Sequence, residues 1–447
     1  MGFKIELTDE CIELNGGISI IGELFRKTKI SNLLNKLRLS KIKSEPNISN
    51  GDVVATYLGT LCQGEPDFEA IEQMREDSFF GYAMGLETVP SSATVRQRLD
   101  SLGAEHQQET IDIILNETCE LLKEKNARIT PCYQNYVPLD MDVSPFDNSN
   151  TKKEGVSRTY KKVDGYAPMF AYLGMEGYCV NVELREGKQH CQKGTPEFIK
   201  TAIINAKVVT QKPILIRLDS GNDSGENMAI MQSEEYRADF IIKRNPRKED
   251  IKDYWYEAKK TGREIENQRE GKRIYVYEDT VTPKDCQNAV RRIHFVTERR
   301  TDARGQEFLL EEYELESYYT SLPDATPEEI RELYHAHGTM EQFHSEIKTD
   351  MDLERLPSGK FATNAIVLAL GICAYNLLRM IGQTSLEKKD YPPTAHKVSR
   401  RRIRTVLLHY MKFAVKFVQH ARMNIIKISR NNPWRQSFQR IHAQIRA

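Results

Sequence analysis

Several features that would mark a specialised class of protein are scarce or missing in this sequence. Lys and Arg balance Asp and Glu at 64 each, so the overall charge does not announce a nucleic-acid-binding protein. Internal repeats and low-complexity tracts are missing, and Tyr and Phe are frequent, which argues against a disordered chain. With 447 residues, of which 39% are apolar, we expect a globular protein of two or three domains.

Cysteine pairs and long apolar runs are also missing. Eight cysteines are scattered without a CxxC pair, and no signal peptide is evident, so we expect free, mostly buried thiols in a reducing cytoplasm. One apolar run, residues 365–381, contains Asn376 and Arg379 and is short for a membrane span. We therefore predict a buried core helix there and no membrane contact.

Hydrophobic periodicity divides the chain. Residues 1–128 are helical in pattern, including PSSATVRQRLDSLG, which has a serine N-cap. Residues 129–247 show three strands, a helix, a strand, a helix and a fifth strand. Residues 248–322 alternate as strands and predict a β-rich insertion, and helical periodicity returns over 323–390.

The last segment, residues 391–447, carries thirteen Lys and Arg and no acidic residue. The pattern predicts a basic helix or helix pair over 394–420, a short strand over 424–430 and a final helix over 434–445.

The clearest local signal is a helix that begins after Thr326. Thr326 is a candidate N-cap, Pro327 suits the first helical position, and Glu329 completes a capping box. Gly338 weakens the helix by about 1 kcal/mol relative to Ala and predicts a local break. One side of this helix carries a polar stripe formed by Tyr334, His337, Glu341 and Lys348.

The spacing of this stripe resembles the signature around the last acidic residue of bacterial insertion-sequence DDE transposases, which usually has Arg in place of His337. The continuation HGTMEQFHSEIKTDMDLERLPSGKF resembles insertion-sequence family thirteen-eighty, a relative of the piggyBac transposases. The resemblance covers nearly the whole chain and is most specific at three acidic motifs.

The resemblance implies three catalytic carboxylates, Asp142, Asp219 and Glu341, that bind two Mg²⁺ ions, with Mn²⁺ able to substitute. Asp142 matches the family motif of an Asp followed one residue later by Ser or Thr. Asp140 lies on the same face of the predicted strand and remains the alternative first ligand. Asp219 ends the strand PILIRLD, and we interpret Asp223 as a helix cap.

The resemblance also implies the fold. Acids at the ends of the first and fourth strands and on a later helix are typical of an RNase H-like domain. We therefore predict an α+β multidomain protein with an RNase H-like mixed β-sheet core flanked by helices, in residues 129–247 and 323–390. The β-rich insertion 248–322 interrupts this core. Helical regions at 1–128, for DNA binding or dimerisation, and at 391–447 flank it.

Basic and aromatic side chains predicted to contact DNA lie beside Glu341, in the loop 151–166, in the PSSATVRQRLD helix and near the C-terminus. They are Tyr334, His337 and Lys348; Lys152, Lys153, Arg158, Lys161 and Lys162; Arg96 and Arg98; and Arg400, Arg401, Arg402 and Arg404. A solvated loop, a plain bundle helix and a solvated helical face are the alternative interpretations of the last three groups.

The predicted function is Mg²⁺-dependent cut-and-paste transposition, with cleavage at terminal inverted repeats and strand transfer to target DNA. Its partner is double-stranded DNA, and we expect a homodimer or higher assembly at the nucleoid of a bacterial cytoplasm. One competing hypothesis is a zinc or iron metallohydrolase built from His335, His337, Glu341 and His344. A further hypothesis is a DNA-binding regulator with an inactive nuclease-like core.

Overall fold

The structure is a computed structural model. It describes residues 3–5, 7, 10, 12–40, 42, 44, 46–265, 270–302, 304–393, 398–421 and 423–446. Cys11 and the start of the predicted helix 394–420 lie outside the described residues. The seven described cysteines are free thiols, and four of them are buried.

The N-terminal region is helical, as predicted. Its elements are β1 (Ile12–Glu13), α1 (Ile18–Lys27), α2 (Ile30–Leu34), α3 (Asn50–Leu61), α4 (Ile71–Arg75), α5 (Ser78–Met84) and α6 (Ser92–Glu124). Ser49 caps α3 and forms a capping box with Asp52. Ser91 caps α6, which contains the SATVRQRLDSLG part of the PSSATVRQRLDSLG segment and continues past a kink at His106.

The central region follows the predicted order of strands and helices. Its elements are β2 (Val137–Val143), β3 (Phe146–Asp147), β4 (Ser157–Arg158), β5 (Asp164–Tyr166), β6 (Met169–Leu173), β7 (Tyr178–Glu183), α7 (Thr195–Val209), β8 (Ile214–Leu218), α8 (Gly225–Gln232) and β9 (Asp239–Lys243). The spatial order is β7-β6-β2-β8-β9, with β2, β8 and β9 parallel and β6 antiparallel to both of its neighbours. This arrangement is that of an RNase H-like sheet, and it confirms the predicted core.

The insertion extends the central sheet. It contains α9 (Ile251–Thr261), β10 (Arg263–Ile265), β11 (Lys272–Val281), β12 (Val290–Thr301) and β13 (Glu307–Thr320). Because β13 pairs antiparallel with β9, the four inserted strands continue the core into one nine-stranded sheet. The sequence prediction omitted α9, whose Trp255 packs on Tyr313 of β13 with ring centroids 5.1 Å apart.

The chain then returns to helices. They are α10 (Pro327–Ala336), a 3₁₀ turn (His337–Thr339), α11 (Met340–Ser345), a π turn (Glu346–Asp350) and α12 (Phe361–Ser385). The capping box of Thr326 and Glu329 forms as predicted, and the 3₁₀ turn confirms the break predicted at Gly338.

Helix α12 is the central core helix. Of the helices that the structure describes, it alone is long and apolar enough to cross a membrane, and its apolar window is completely buried inside the protein. Asn376 exchanges two hydrogen bonds with the backbone of Cys179, at 2.7 and 2.9 Å, and so covers the edge strand β7. The predicted core helix over 365–381 is confirmed.

The C-terminal region departs from the prediction. It contains α13 (Ile403–Val406), a π turn (Leu407–Met411), β14 (Val415–His420), β15 (Met423–Ile428) and α14 (Arg435–Arg446). The predicted helix over 394–420 is wrong from Val415 onward, because the β-branched and aromatic residues of VKFVQH pair as a strand with β1 and β15. The predicted strand over 424–430 and the last helix are confirmed.

Candidate active site

Two acids lie side by side where adjacent parallel strands end. Met141 of β2 is the register partner of Leu218 of β8, so the next residues along the two strands are Asp142 and Asp219. Burial, followed by the negative charge of Asp219, raises the pKa of Asp142 to about 6. The fold therefore places like charges together at the carboxyl edge of the sheet.

A buried ion pair lies directly beneath them on the same face. Asp140 is the register partner of Arg217, whose Nε and Nη2 donate to the two carboxylate oxygens at 2.6 and 2.7 Å. Against the effect of burial, the charge of Arg217 lowers the pKa of Asp140. Arg217 therefore engages both oxygens of Asp140, and this carboxylate is bonded within the protein.

Arg217 was missed by the sequence analysis. The available signal was a lone charged residue inside the otherwise apolar run PILIRLD. A cation in a buried strand requires a partner, and only the fold identifies Asp140 as that partner.

A tight turn holds the second acid. The Asn222 side-chain amide donates to Asp219 Oδ1 at 2.7 Å. A Cβ at Gly221 would lie about 3.3 Å from both Asp219 oxygens and 3.0 Å from Cys191 Sγ, so a larger residue would require these side chains to shift. Asp223 accepts the Asn245 backbone N–H at 2.9 Å and does not cap α8, so the predicted helix-cap role is wrong.

A buried histidine faces the first acid. His344 Nε2 lies 3.9 Å from Asp142 Oδ2, and Nδ1 lies 3.2 Å from the Tyr172 hydroxyl. Burial lowers the pKa of His344 to about 3, so the imidazole is neutral. The Tyr172 hydroxyl and His344 Nδ1 form a hydrogen bond, and Nε2 is buried without a hydrogen-bond partner.

The helical segment 327–350 is tied to the sheet through the same ion pair. His337 Nδ1 lies 3.2 Å from Asp140 Oδ1, and Arg217 Nη1 donates to the Leu333 carbonyl at 2.6 Å. The Tyr334 ring stacks on His337 with centroids 5.8 Å apart. His337 is only 8% exposed, so in this structure it braces the helix against the strands and does not present a surface to a ligand.

Glu341 lies in the first turn of α11. It follows His337 by four residues and precedes His344 by three, and these two histidines lie close to Asp140 and Asp142 of β2. The side chain is exposed. Within the described ranges, no group of three or more His, Cys, Asp or Glu residues is close enough together to hold a metal ion. The structure thus brings two of the predicted acids together and places the third on the adjacent helix.

The paired carboxylates fit a divalent cation. Burial and the negative charge of Asp219 together raise the pKa of Asp142 to about 6, and a hard divalent cation would neutralise such a pair of carboxylates. The histidine cluster of the competing hypothesis does not form, because its members have different partners: His335 lies 3.4 Å from Glu316, His337 bonds to Asp140 and His344 bonds to Tyr172.

Comparison with known proteins identifies the family. Residues 4–447 match the family model described as "Transposase DDE domain group 1". The chain belongs to this family of DDE transposases. A solved structure of a piggyBac transposase synaptic complex with hairpin DNA resembles 88% of this chain and 80% of that chain, at 10% identity and a TM-score of 0.40. No curated protein matches the chain.

The family assignment confirms the resemblance to DDE transposases seen in the sequence, and the narrower resemblance to family thirteen-eighty stays a prediction. DDE transposases cleave DNA and transfer strands, and they use divalent metal ions. The transposase therefore needs basic side chains that contact DNA as well as its acids. The basic residues predicted for this role are of two kinds: some are exposed, and others are bonded to groups within the protein.

Beside the acids, Lys348 is held inside the protein. Its ammonium donates to the Pro145 carbonyl, lies 5.5 Å from the centre of the Phe146 ring and is 3.8 Å from Glu354. Burial lowers the pKa of Lys348. Its predicted DNA contact remains a prediction.

The loop 151–166 has members of both kinds. Lys153 donates to Asn148 Oδ1 at 3.1 Å and to the Leu356 carbonyl, and Arg158 pairs with Asp164 at 3.3 Å. Of the predicted DNA contacts in this loop, the exposed ones are Lys152, Arg158, Lys161 and Lys162.

The remaining predicted DNA contacts of the transposase are mostly bonded within the protein. Arg96 pairs with Glu69, Arg98 donates to Asn50, Arg400 pairs with Glu346, and Arg402 pairs with Asp350. Arg401 is 3% exposed and packs on the rings of Tyr391 and Trp434. Arg404 is exposed.

Proposed function

We propose that this DDE transposase performs cut-and-paste transposition, cutting DNA at the terminal inverted repeats of its own element and joining the freed ends to target DNA. The observation that carries this proposal is the pair Asp142 and Asp219 at the ends of adjacent parallel strands. The family assignment supplies the reaction class.

Asp142, Asp219 and Glu341 would hold two divalent cations, Mg²⁺ or Mn²⁺. When bound, such ions activate the attacking oxygen and stabilise the leaving one. Asn222 donates a hydrogen bond to Asp219 that fixes the orientation of this carboxylate. Glu341, whose side chain is exposed, would be the third carboxylate of the set.

The positive groups nearest the acids position the DNA backbone. Lys161 is exposed, and its charge acts on the Asp142 carboxylate. Lys152 and Lys162 extend this basic surface along the same loop, where they neutralise phosphates. Because two element ends are processed together, the working unit is a homodimer or a larger assembly.

The test is a cleavage assay on DNA that carries the flanking repeats of the element, with Mg²⁺ present or withheld. We expect cleavage with Mg²⁺ only, and we expect Asp219→Asn to abolish it while end binding persists in a gel-shift assay. Asp223→Asn, four residues further along, is the matched control and retains cleavage. Cleavage that survives Asp219→Asn would falsify the proposal.

A further inference from the structure

A short hairpin carries a tyrosine over the acid pair. Strands β4 and β5 pair antiparallel, and the turn between them is closed by hydrogen bonds of 2.9 Å from the Thr159 N–H to the Val163 carbonyl and from the Lys162 N–H to the Thr159 carbonyl. Strand β5 also pairs with β3. The residue at the tip, Tyr160, therefore has a defined position.

The hydroxyl end of Tyr160 is anchored at the site. It donates to the Val143 carbonyl at 3.1 Å, one residue beyond Asp142. Burial of the hydroxyl, then the negative charges of Asp142 and Asp219, raise the pKa of Tyr160. The hydroxyl therefore stays protonated and keeps its bond to the strand end.

The ring of Tyr160 is open to solvent. The residue is 63% exposed, and the Lys161 ammonium lies 6.0 Å from the ring centre. Other exposed tyrosines lean on rings of the protein: Tyr82 lies 5.5 Å from Phe417, and Tyr256 lies 4.8 Å from Trp255. Tyr160 instead presents a flat apolar surface beside a cation, at the place where the proposed reaction occurs.

We propose that Tyr160 is a nucleobase-binding residue of the active site, whose ring stacks on an unpaired base next to the phosphate that is cut. This inference rests on the proposed function. Aromatic rings stack on any base face, and nearby cations hold the backbone. Bases inside a duplex have both faces covered by their neighbours, so the bound base must be unstacked.

The hydroxyl bond gives the ring its orientation, and the ring supplies the contact. Loss of the whole side chain should therefore cost more than loss of the hydroxyl. We compare Tyr160→Ala with Tyr160→Phe, which keeps the ring, and with Tyr256→Ala, an exposed tyrosine on α9. Because these rings are exposed, all three variants should melt close to the wild type, which a thermal scan checks.

Binding is measured in the Asp219→Asn background, which holds the DNA uncut. The probe is an element end that carries 2-aminopurine at one position at a time on either side of the cleavage site. We expect the fluorescence at one position to be quenched with Tyr160 or Tyr160→Phe and released with Tyr160→Ala. Affinity should fall about tenfold for Tyr160→Ala and stay within about twofold for Tyr160→Phe and Tyr256→Ala.

Identical fluorescence at every position and equal affinity for Tyr160→Ala and its background would overturn the inference, even when wild-type protein cleaves the ends normally. Failure of the wild type to bind or cleave the ends would instead refute the proposed function, and this inference with it. The two failures are thus distinguishable within one experiment.

Discussion

At the scale of single residues, the site is built from two steps of the same pair of strands. Asp140 and Arg217 form the lower step, and Asp142 and Asp219 form the upper one. The lower step is neutral, buried and fully bonded, whereas the upper step carries two negative charges and is partly open. The ion pair of Asp140 and Arg217 thus joins the two strands directly below Asp142 and Asp219. It holds these two negative charges close together, which neither strand would do alone.

The two aspartates of β2 should respond differently to the same substitution. Asp140→Asn leaves Arg217 buried without its counter-charge and should reduce the free energy of unfolding by about 3–5 kcal/mol. Asp142→Asn removes a repulsion and should leave this free energy unchanged or raised, while abolishing cleavage. Urea unfolding and the cleavage assay measure both effects, and equal destabilisation by the two variants would contradict the assignment.

The stability of the metal-free protein should depend on pH through Asp142. Between its ordinary pKa of 3.8 and about 6, the folded protein holds a proton that the unfolded chain has released. This contribution to stability is therefore present at low pH and is lost as pH rises through about 6. His344, whose pKa burial lowers to about 3, gives the opposite slope as pH falls below its ordinary 6.5.

The difference between wild type and Asp142→Asn isolates the aspartate. We expect the wild type to lose stability relative to this variant as pH rises from about 4 to about 7, in denaturation curves recorded with a chelator. Mg²⁺ should restore the loss in the wild type alone, because it binds only the folded site. Stability profiles of the wild type and Asp142→Asn that stay parallel as pH changes would contradict this role of Asp142.

At the scale of elements, the segment from Thr326 to Asp350 carries one glutamate proposed for catalysis and another that stabilises the fold. The side chain of Glu341 is exposed. Glu346, five residues later, is 1% exposed and bonds to Arg379 of α12 and to Arg400 of the C-terminal region. The 3₁₀ turn and the π turn change the helical phase along the segment. Glu341 therefore points to solvent, whereas Glu346 points into the core.

Two glutamates of this segment form a matched pair for mutation. Glu346→Gln leaves Arg379 and Arg400 without a counter-charge and should destabilise the fold by about 3–5 kcal/mol. Glu341→Gln should change stability by less than about 0.5 kcal/mol and still abolish cleavage. Thermal unfolding and the cleavage assay separate the two, and an inactive but stable Glu346→Gln would reverse their roles.

At the scale of the whole molecule, the chain ends share one hydrophobic core. Helix α14 packs against α1 and α12, and β14 pairs with β1 near the N-terminus. Phe438 of α14 is 3% exposed and stacks on Phe413 with centroids 4.1 Å apart. The boundary that the sequence suggested at residue 390 does not separate two cores.

A substitution near the C-terminus should therefore loosen the N-terminal helices. Phe438→Ala removes a buried ring and should reduce the free energy of unfolding by about 3–5 kcal/mol. We expect the amides of α1 to lose hydrogen-exchange protection together with those of α14. Unchanged protection in α1 would show that the ends unfold independently.

Local chemistry made much of this structure predictable. The capping box at Thr326, the break at Gly338 and the order of the core strands depend on neighbours within a few residues, and each was predicted correctly. The apolar run around Asn376 was interpreted correctly for the same reason. These interactions are present in any conformation that forms the element, so a linear pattern contains them.

Long-range contacts were not predictable in this way. The secondary structure of helix α9 and of the strand Val415–His420 was predicted wrongly. In such charged segments, packing partners distant in sequence determine whether a helix or a strand forms. The bond of Arg217 to Asp140 and the approach of His344 to Asp142 depend on strand register and on how α11 packs against the sheet.

The sequence by itself indicated the family through its resemblance to DDE transposases, and it predicted the order of the core strands, because local periodicity encodes that order. Only the tertiary structure decided that Asp140, and not Asp142, pairs with Arg217. It alone also decided that the N-terminal and C-terminal elements share one hydrophobic core. It also decided that Tyr160 stands beside the acids. Those outcomes depend on strand register and on packing between segments far apart in the chain. The free energies of burial and of charge pairing arise from such contacts and not from local sequence.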